Sequence, residues 1–309
     1  MSERAEVRRG ASAIFAAPRR WRRLENTPWI FVLPAVAYLL ALSIYPLVSS
    51  FVLSLHEYHI DARSFAWVGW GNYAAIFHDS EFYIAFRNTV IFTAATVGVE
   101  LVLGMALAVF MTRRLIGANL LRTLLIIPMM TTPMVVGLMW RFLLNTDFGV
   151  VDYLLRVLFG MRPVNWLGSA PYSLVSLIVV DVWQWMPFAF LILYAAIQTI
   201  PEELHEAARV DGARGVQVFR HITLPLLLPV IDIVVLFRGM DSFRAFDTVY
   251  TLTFGGPGRD SATLSFLAYL QGFSYSHLGL ASAMSYVMVA VIFVGVTLYR
   301  FTVMPRGAR

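Results

Sequence analysis

Two residue types with distinctive chemistry are missing from this sequence of 309 residues: it has no cysteine, and its 24 lysine-plus-arginine positions are all arginine. Without cysteine the chain can form no disulfide and offers no thiolate to a metal ion. A phosphate-binding P-loop and a protein-kinase site each need a lysine. The chain therefore cannot hydrolyse ATP by either of these routes on its own.

Charge is scarce as well. Only 14% of the residues are charged, against roughly 25% in a typical soluble domain, while 59% are hydrophobic and the mean hydropathy is +0.69. The apolar residues fall in long blocks. A chain of this composition is expected to be an integral membrane protein, so its spans are counted before its domains.

Six apolar runs are each long enough to cross a hydrocarbon layer of ~30 Å. They cover residues 29–55, 85–111, 121–144, 172–197, 222–243 and 278–303. The first run is much longer than the ~7–15 apolar residues of a signal peptide, so we interpret it as an uncleaved anchor. The predicted fold is all-α, with a six-helix transmembrane domain at 29–303 between an N-terminal tail, 1–28, and a C-terminal tail, 304–309.

The arginines predict the orientation in the membrane. Seven stand in the leading tail, and others follow the second, fourth and sixth runs. Because basic loops stay on the cytoplasmic side, both termini are expected in the cytoplasm of a bacterial cell. A basic tail can also bind nucleic acid. One that directly precedes an anchor is better explained as a topology determinant beside anionic lipid, so we predict no nucleic-acid partner.

Residues 199–224 form a polar interruption between the fourth and fifth runs, and this segment is expected in the cytoplasm. The stretch TIPE, which starts at Thr199, predicts a capping box with its proline at the first helical position. Asp211 and Gly212 predict the end of this helix, because glycine adopts the left-handed conformation at low cost. A second helix is expected from Ala213 into the fifth span.

The residue pattern alone leaves two interpretations of the first helix open. It has a small apolar face opposed by Glu203, Glu206 and Arg209. Such a helix can lie at the headgroup boundary of the membrane, or it can form a short rigid protrusion that docks into a groove on another protein. The flanking spans exclude a helix-turn-helix that reads DNA.

Several stretches of the sequence resemble one family. EAARVDGARGVQVFRHITLPLLLP, residues 206–229, resembles the EAA loop of the permeases of binding-protein-dependent ABC importers, within the sugar-uptake group typified by the maltose permeases. FVLPAVAYLLALSIYPLVSSFVLSLHEY is similar to the first helix of the F-type subunit, and WVGWGNYAAIFHDSEFYIAFRNTVIFT is similar to the segment that leads into its second helix. LTFGGPG, residues 252–258, is similar to the external loop after span 5. The matches extend over nearly the whole chain.

This resemblance implies a type I ABC importer permease fold in which the EAA loop is a coupling helix seated in a cleft of a separate ATPase. The ATPase would bind ATP and Mg, so this chain would have no cofactor, no metal and no catalytic residue. Its partners would be a second homologous permease, two ATPase copies and an external solute-binding protein. The residues that the resemblance assigns to coupling are Glu203, Glu206, Ala207, Ala208, Asp211, Gly212 and Ala213.

Ionisable residues inside the predicted spans mark candidate functional positions, because charge is costly in the membrane. Asp181 in the fourth span and Arg238 in the fifth are expected at similar depth, and a pair of opposite charges avoids a single uncompensated one. Glu100 and Asp232 are interpreted as interhelical contacts rather than solute ligands. For Arg244 and Asp247 a surface ion ladder and a place on the solute path stay equally open.

The resemblance places the solute path on the fourth and fifth spans. Sugars are bound by polar groups that contact their hydroxyls and by aromatic rings that stack on their apolar faces. The positions that it implies are Asp181, Gln184, Trp185, Phe188, Arg238, Asp241, Ser242 and Ala245. Most of these side chains differ from those of the maltose permeases, so the location carries over better than the specificity. A neutral sugar, such as a disaccharide of the trehalose or maltose type, is the expected solute.

Two other functions remain as alternatives. A secondary transporter or channel for a polar solute would explain the intramembrane charges without an ATPase, but it leaves the EAA segment unexplained. A membrane enzyme acting on lipid or glycan would need an acid–base pair or a metal set at a membrane face, and the sequence offers none that we can identify.

Overall fold

The computed structural model describes residues 28–59, 64–113 and 116–302. The predicted N-terminal and C-terminal tails lie outside these ranges, apart from Pro28. Most of the described residues are helical, which agrees with the predicted all-α class. The helices are α1 (Pro28–Ser54), α2 (Gly71–His78), α3 (Ser80–Phe110), α4 (Ala118–Met130), α5 (Pro133–Leu143), α6 (Val150–Phe159), α7 (Tyr172–Gln198), α8 (Glu202–Val210), α9 (Gly215–Val218), α10 (Leu224–Phe243), α11 (Leu264–Tyr269) and α12 (Leu278–Thr302).

Short irregular elements complete the chain. A two-stranded antiparallel hairpin, β1 (His56–His59) and β2 (Ser64–Trp67), follows α1. There are three π-helical turns: Phe219–Thr223 directly precedes α10, Val249–Thr253 lies between α10 and α11, and Leu270–Ser274 directly follows α11. The first of them joins α9 to α10 into one continuous helix of 29 residues. This turn stands where Pro225 removes a backbone donor, which is the kind of disruption that a π-turn accommodates.

The chain divides into two units between Val52 and Leu53. Of the first unit the structure describes residues 28–52, which belong to α1. This helix is uncharged and mostly apolar, and it contains Pro34 and Pro46. A helix that is apolar on all sides is typical of a membrane span.

Among the described residues, five helices are long and apolar enough to cross a membrane: α1, α3, α7, the continuous helix 215–243, and α12. They confirm the predicted first, second, fourth, fifth and sixth spans. The α3 helix begins five residues earlier than predicted, because Asp79 caps it by accepting a 2.9 Å hydrogen bond from the Glu81 backbone N–H.

The predicted third span, 121–144, is wrong as a single helix. It consists of α4 and α5, which meet at a bend of 100°. Thr131 and Thr132, between them, are both extended, and Pro133 opens α5. Because a proline disfavours the helical conformation in the residue before it and has no N–H to donate, the chain cannot continue α4 through this point.

The second unit is built around α3 and α7, which run parallel and have more contact with each other than any other two elements. Their backbones come close together at Gly104, where a Cβ atom would lie 2.9 Å from the Phe190 backbone nitrogen. Small residues at such a crossing allow transmembrane helices to pack tightly. Buried apolar clusters lie along the pair, and the one nearest α8 contains Phe190, Leu193 and Leu227.

Candidate functional site: a polar cavity and an exposed loop

Arg238 is the largest fully buried side chain among the described residues, and only 1% of it is accessible. Its Nε and Nη2 donate to the two carboxylate oxygens of Glu100, each at 2.8 Å. Nη2 also donates to Asp181 and Nη1 to Asp241, each at 2.7 Å. The guanidinium lies 5.0 Å from the centre of the Trp185 ring. One cation thus holds three carboxylates from three helices, α3, α7 and α10.

This cluster confirms the predicted contact between Asp181 and Arg238. It also confirms that Glu100 is an interhelical contact, since the Glu100 side chain is fully buried and bound to Arg238. Asp232 is an interhelical contact as well, because one of its carboxylate oxygens accepts a 2.6 Å hydrogen bond from the Tyr299 hydroxyl of α12.

A polar cavity of about 320 Å³ opens beside the cluster. Asp181 and Asp241 lie on its wall, whereas Arg238 and Glu100 are behind the wall. Three further predicted path residues, Trp185, Ser242 and Ala245, also line the cavity. Five of the eight predicted path positions therefore surround one space, and a sixth, Arg238, supports it from behind.

The other two predicted path residues do not reach this cavity. Gln184 is fully buried, and its amide nitrogen donates a 2.8 Å hydrogen bond to the Thr131 carbonyl at the break between α4 and α5. It satisfies a backbone group that the bend sets free. Phe188 stacks on Phe237 of α10, with ring centres 5.2 Å apart, so it packs between two helices.

Sequence reasoning missed several residues of the wall. Pro133, at the start of α5, lines the cavity because the third span bends there. The sequence predicted this span as one straight helix. Phe246 and Thr248 also line it. Both lie beyond the end of α10 at Phe243, so the helical spacing that placed Asp241 on the path does not predict them.

Arg244 and Asp247 both lie on the cavity wall. Arg244 approaches Asp241 at 3.7 Å, and its side chain is 63% exposed. The described residues show no ion pair between Arg244 and Asp247. The surface ion ladder, one of the two interpretations left open by the sequence, therefore does not continue beyond Arg244. The wall presents three carboxylates and one accessible guanidinium.

The polar loop after α7 forms the predicted helix, α8, which ends as expected. Gly212 has a φ of 75°, in the left-handed region. The Ala213 N–H donates to the Ala208 carbonyl at 2.9 Å, and the Gly212 N–H donates to the Arg209 carbonyl at 3.1 Å. This pair of bonds is a Schellman motif, which closes the carbonyl end of the helix.

The start of α8 differs from the prediction. The predicted capping box is wrong, because the Thr199 hydroxyl donates to the Ala196 carbonyl at 2.8 Å and so closes α7. Pro201 is extended and precedes the helix, which begins at Glu202. The following helix begins at Gly215 rather than Ala213, and the Arg214 N–H donates to the Gln217 side chain at 2.7 Å.

The α8 loop is exposed and carries apolar residues. Only Ala208 is buried, and the remaining predicted coupling residues, Glu203, Glu206, Ala207, Asp211, Gly212 and Ala213, are exposed or partly exposed. Val210 is 87% exposed and Val216 is 78% exposed. Apolar side chains exposed on a polar loop are typical of a contact surface for another protein.

The sequence is similar to one family of membrane transport proteins over most of its length. Residues 100–303 match the family model described as binding-protein-dependent transport system inner membrane component. A probable ABC transporter permease protein of Sinorhizobium fredii is 40% identical over 93% of this chain and 92% of its own length. The trehalose/maltose transport system permease protein MalF of Thermococcus litoralis is 35% identical over 81% of this chain and 83% of its own length.

A solved structure supports the fold. A chain of a bacterial alginate ABC transporter, crystallised in complex with an alginate pentasaccharide-bound periplasmic protein, superposes with a TM-score of 0.79 at 20% identity. The match covers 93% of this chain and 97% of that one. Since the family model covers the helices that carry the cluster, the cavity wall and α8, the chain is a multi-pass membrane protein that belongs to the family of binding-protein-dependent transport system inner membrane components.

Proposed function

We propose that this chain is the permease subunit of an ABC importer that moves a neutral sugar, a disaccharide of the trehalose or maltose type, into a bacterial cell. The observation that carries the proposal is the cavity beside Arg238. Its wall combines carboxylates that accept hydrogen bonds from hydroxyl groups with the rings of Trp185 and Phe246. Those two kinds of group suit the polar rim and the apolar face of a sugar.

The charges of the wall favour an uncharged solute. Asp181, Asp241 and Asp247 line the cavity, whereas Arg238 is behind the wall and already engaged by three carboxylates. Arg244 is the accessible cation of the wall, and it is shared with Asp241. A solute with its own negative charge would meet this excess of like charge.

In this proposal α8 is the coupling helix, and Glu206, Gly212 and their neighbours dock into an ATPase dimer on the cytoplasmic side. Both termini lie in the cytoplasm. A second homologous permease completes the path, and an external solute-binding protein delivers the sugar to the opposite end. ATP and Mg are bound by the ATPase. The exposed Val210 and Val216 support a docking role for the loop.

The partner set is tested by extracting the tagged chain in mild detergent and identifying by mass spectrometry what accompanies it. An ATPase, a second permease and a solute-binding protein are expected. A chain recovered alone or as a homo-oligomer, both with and without cross-linking, contradicts the proposal.

The solute is tested with proteoliposomes that contain the recovered complex. ATP-dependent uptake is measured for trehalose and maltose, and for glycerol 3-phosphate as an anionic comparison. We expect uptake of a neutral disaccharide only. Uptake that continues after ATP is depleted would instead identify a secondary transporter.

A further inference from the structure

A continuous group of aromatic rings leads from the polar cavity to the molecular surface at the end opposite α8. It consists of Phe246, Tyr250, Phe254, Tyr269 and Phe273, which we call the aromatic track. Neighbouring ring centres are 4.9 Å apart for Phe246 and Tyr269, and 5.4 Å apart for both Phe246–Tyr250 and Tyr269–Phe273. Tyr250 lies 5.3 Å from both Tyr269 and Phe254.

The track is continuous with the site already described. Phe246 is a wall residue of the cavity and the innermost ring of the track. Exposure then increases outward: the rings of Phe246, Tyr250 and Tyr269 are half-buried, Phe254 is 52% exposed and Phe273 is 76% exposed. A solute that left the cavity along the track would therefore stay in contact with a ring as far as the surface.

Packing accounts for only part of the surface of these rings. Phe246, Tyr250 and Tyr269 pack against the buried cluster that contains Phe266, and each also keeps accessible surface. Phe254 and Phe273 are exposed. Lipid is an unsuitable cover for them, because the exposed guanidinium of Arg244 and the carboxylate of Asp247 occur on the same segment, next to Phe246.

We propose that the aromatic track is an entry subsite on which the apolar faces of sugar rings stack while the sugar moves between the outer end of the protein and the cavity. Aromatic rings provide large, flat contact surfaces for the apolar face of a sugar. The inference rests on the proposed function in one respect, which is that the solute is a sugar.

The first test separates stacking from simple burial of apolar surface. Tyr250 and Tyr269 are replaced together by Phe, which keeps both rings, or by Leu, which keeps apolar volume without a ring. We expect the Phe pair to transport trehalose or maltose with an unchanged KM and the Leu pair to raise KM about tenfold, the effect of losing about 1.4 kcal/mol of binding.

Phe77, an exposed ring of α2 outside the track, gives the matched control. The Phe77→Leu variant is expected to leave KM unchanged. If the Phe and Leu pairs behave alike while the wild type transports, the track is only packing or a contact with the second permease, and the inference is overturned. A wild type that takes up neither disaccharide overturns the proposed function itself.

The second test does not depend on the tyrosine variants. Because the chain has no cysteine, Phe273→Cys and Phe254→Cys each introduce its only thiol. The rate of modification by a charged, membrane-impermeant methanethiosulfonate is measured in the assembled complex with trehalose and with maltose. We expect the transported sugar to slow modification several-fold at both positions and to leave Phe77→Cys unaffected. Equal rates with and without the sugar at both track positions overturn the inference.

Discussion

Glu100 on α3 and Arg238 on α10 face each other through two hydrogen bonds of 2.8 Å, and both side chains are closed off from solvent. A buried guanidinium needs this geometry, since removing one partner leaves an uncompensated charge. The contact makes Glu100 a residue that positions Arg238, which in turn orients the two carboxylates of the cavity wall.

The Glu100→Gln variant is expected to destabilise the protein by about 3 kcal/mol, because the amide places N–H groups against the N–H groups of Arg238. The measurement is thermal unfolding in mild detergent. Glu81→Gln is the matched control. The Glu81 side chain is 41% exposed and bound to Arg259 at 3.0 Å, so the same change should cost less than about 1 kcal/mol there. Equal losses in the two variants would contradict the role of Glu100.

Asp241→Asn is expected to raise the KM for the sugar and to lower sugar-stimulated ATPase activity more than basal activity. Asp241 lies on the cavity wall, and its side chain is 41% exposed, so it is accessible to solute. Asp181→Ala should act in the same direction. Asp260→Asn makes the same kind of change at an exposed position outside the cavity and should have no effect. Basal and stimulated activities that fall together would indicate structural damage instead.

Gln184→Met should lower stability without changing the KM for the sugar. The variant loses the hydrogen bond to the Thr131 carbonyl, which is partly buried, at a cost of about 1 kcal/mol. Unfolding in detergent and uptake kinetics are measured on the same preparation. A raised KM with unchanged unfolding would return Gln184 to the solute path.

Gly212→Asp is expected to abolish transport and to weaken binding of the ATPase while membrane insertion continues. A side chain at this left-handed position strains the turn after α8, and the added charge enters the docking surface. Gly160, which ends α6, is also left-handed and also has open space around it. Gly160→Asp therefore carries the same strain away from α8 and should keep the ATPase bound. Full uptake by Gly212→Asp would exclude the docking role.

Predictions from the sequence succeeded where a residue pattern has only one structural explanation. Five of the six long apolar runs are single spanning helices, as predicted, and Gly212 marks the end of α8. The contact between Asp181 and Arg238 followed from the opposite directions of their spans. That Glu100 would join them was not predictable, because it depends on how α3 is rotated against α7 and α10.

Proline gave a signal that was not used. Pro128 and Pro133 both lie in the predicted third span, and together they mark the break that turns α5 and brings Pro133 to the cavity. The contact that Gln184 makes was missed for the same reason, since its partner is the Thr131 carbonyl at the break. The capping box predicted at Thr199 was wrong for another reason. A hydroxyl between two helices can cap the end of the first or the start of the second, and here it caps the end of α7.

The close approach at Gly104 has a mechanical consequence. A Cβ atom at this position would collide with the Phe190 backbone, so there is no free space between α3 and α7 in which one helix could shift along the other. Only three residues separate α7 from α8. We therefore expect a displacement of α8 to move α3 and α7 together as one rigid body, along with Glu100 and Asp181. In that case α10 moves relative to this pair of helices, and Arg238 is the side chain at the interface between them.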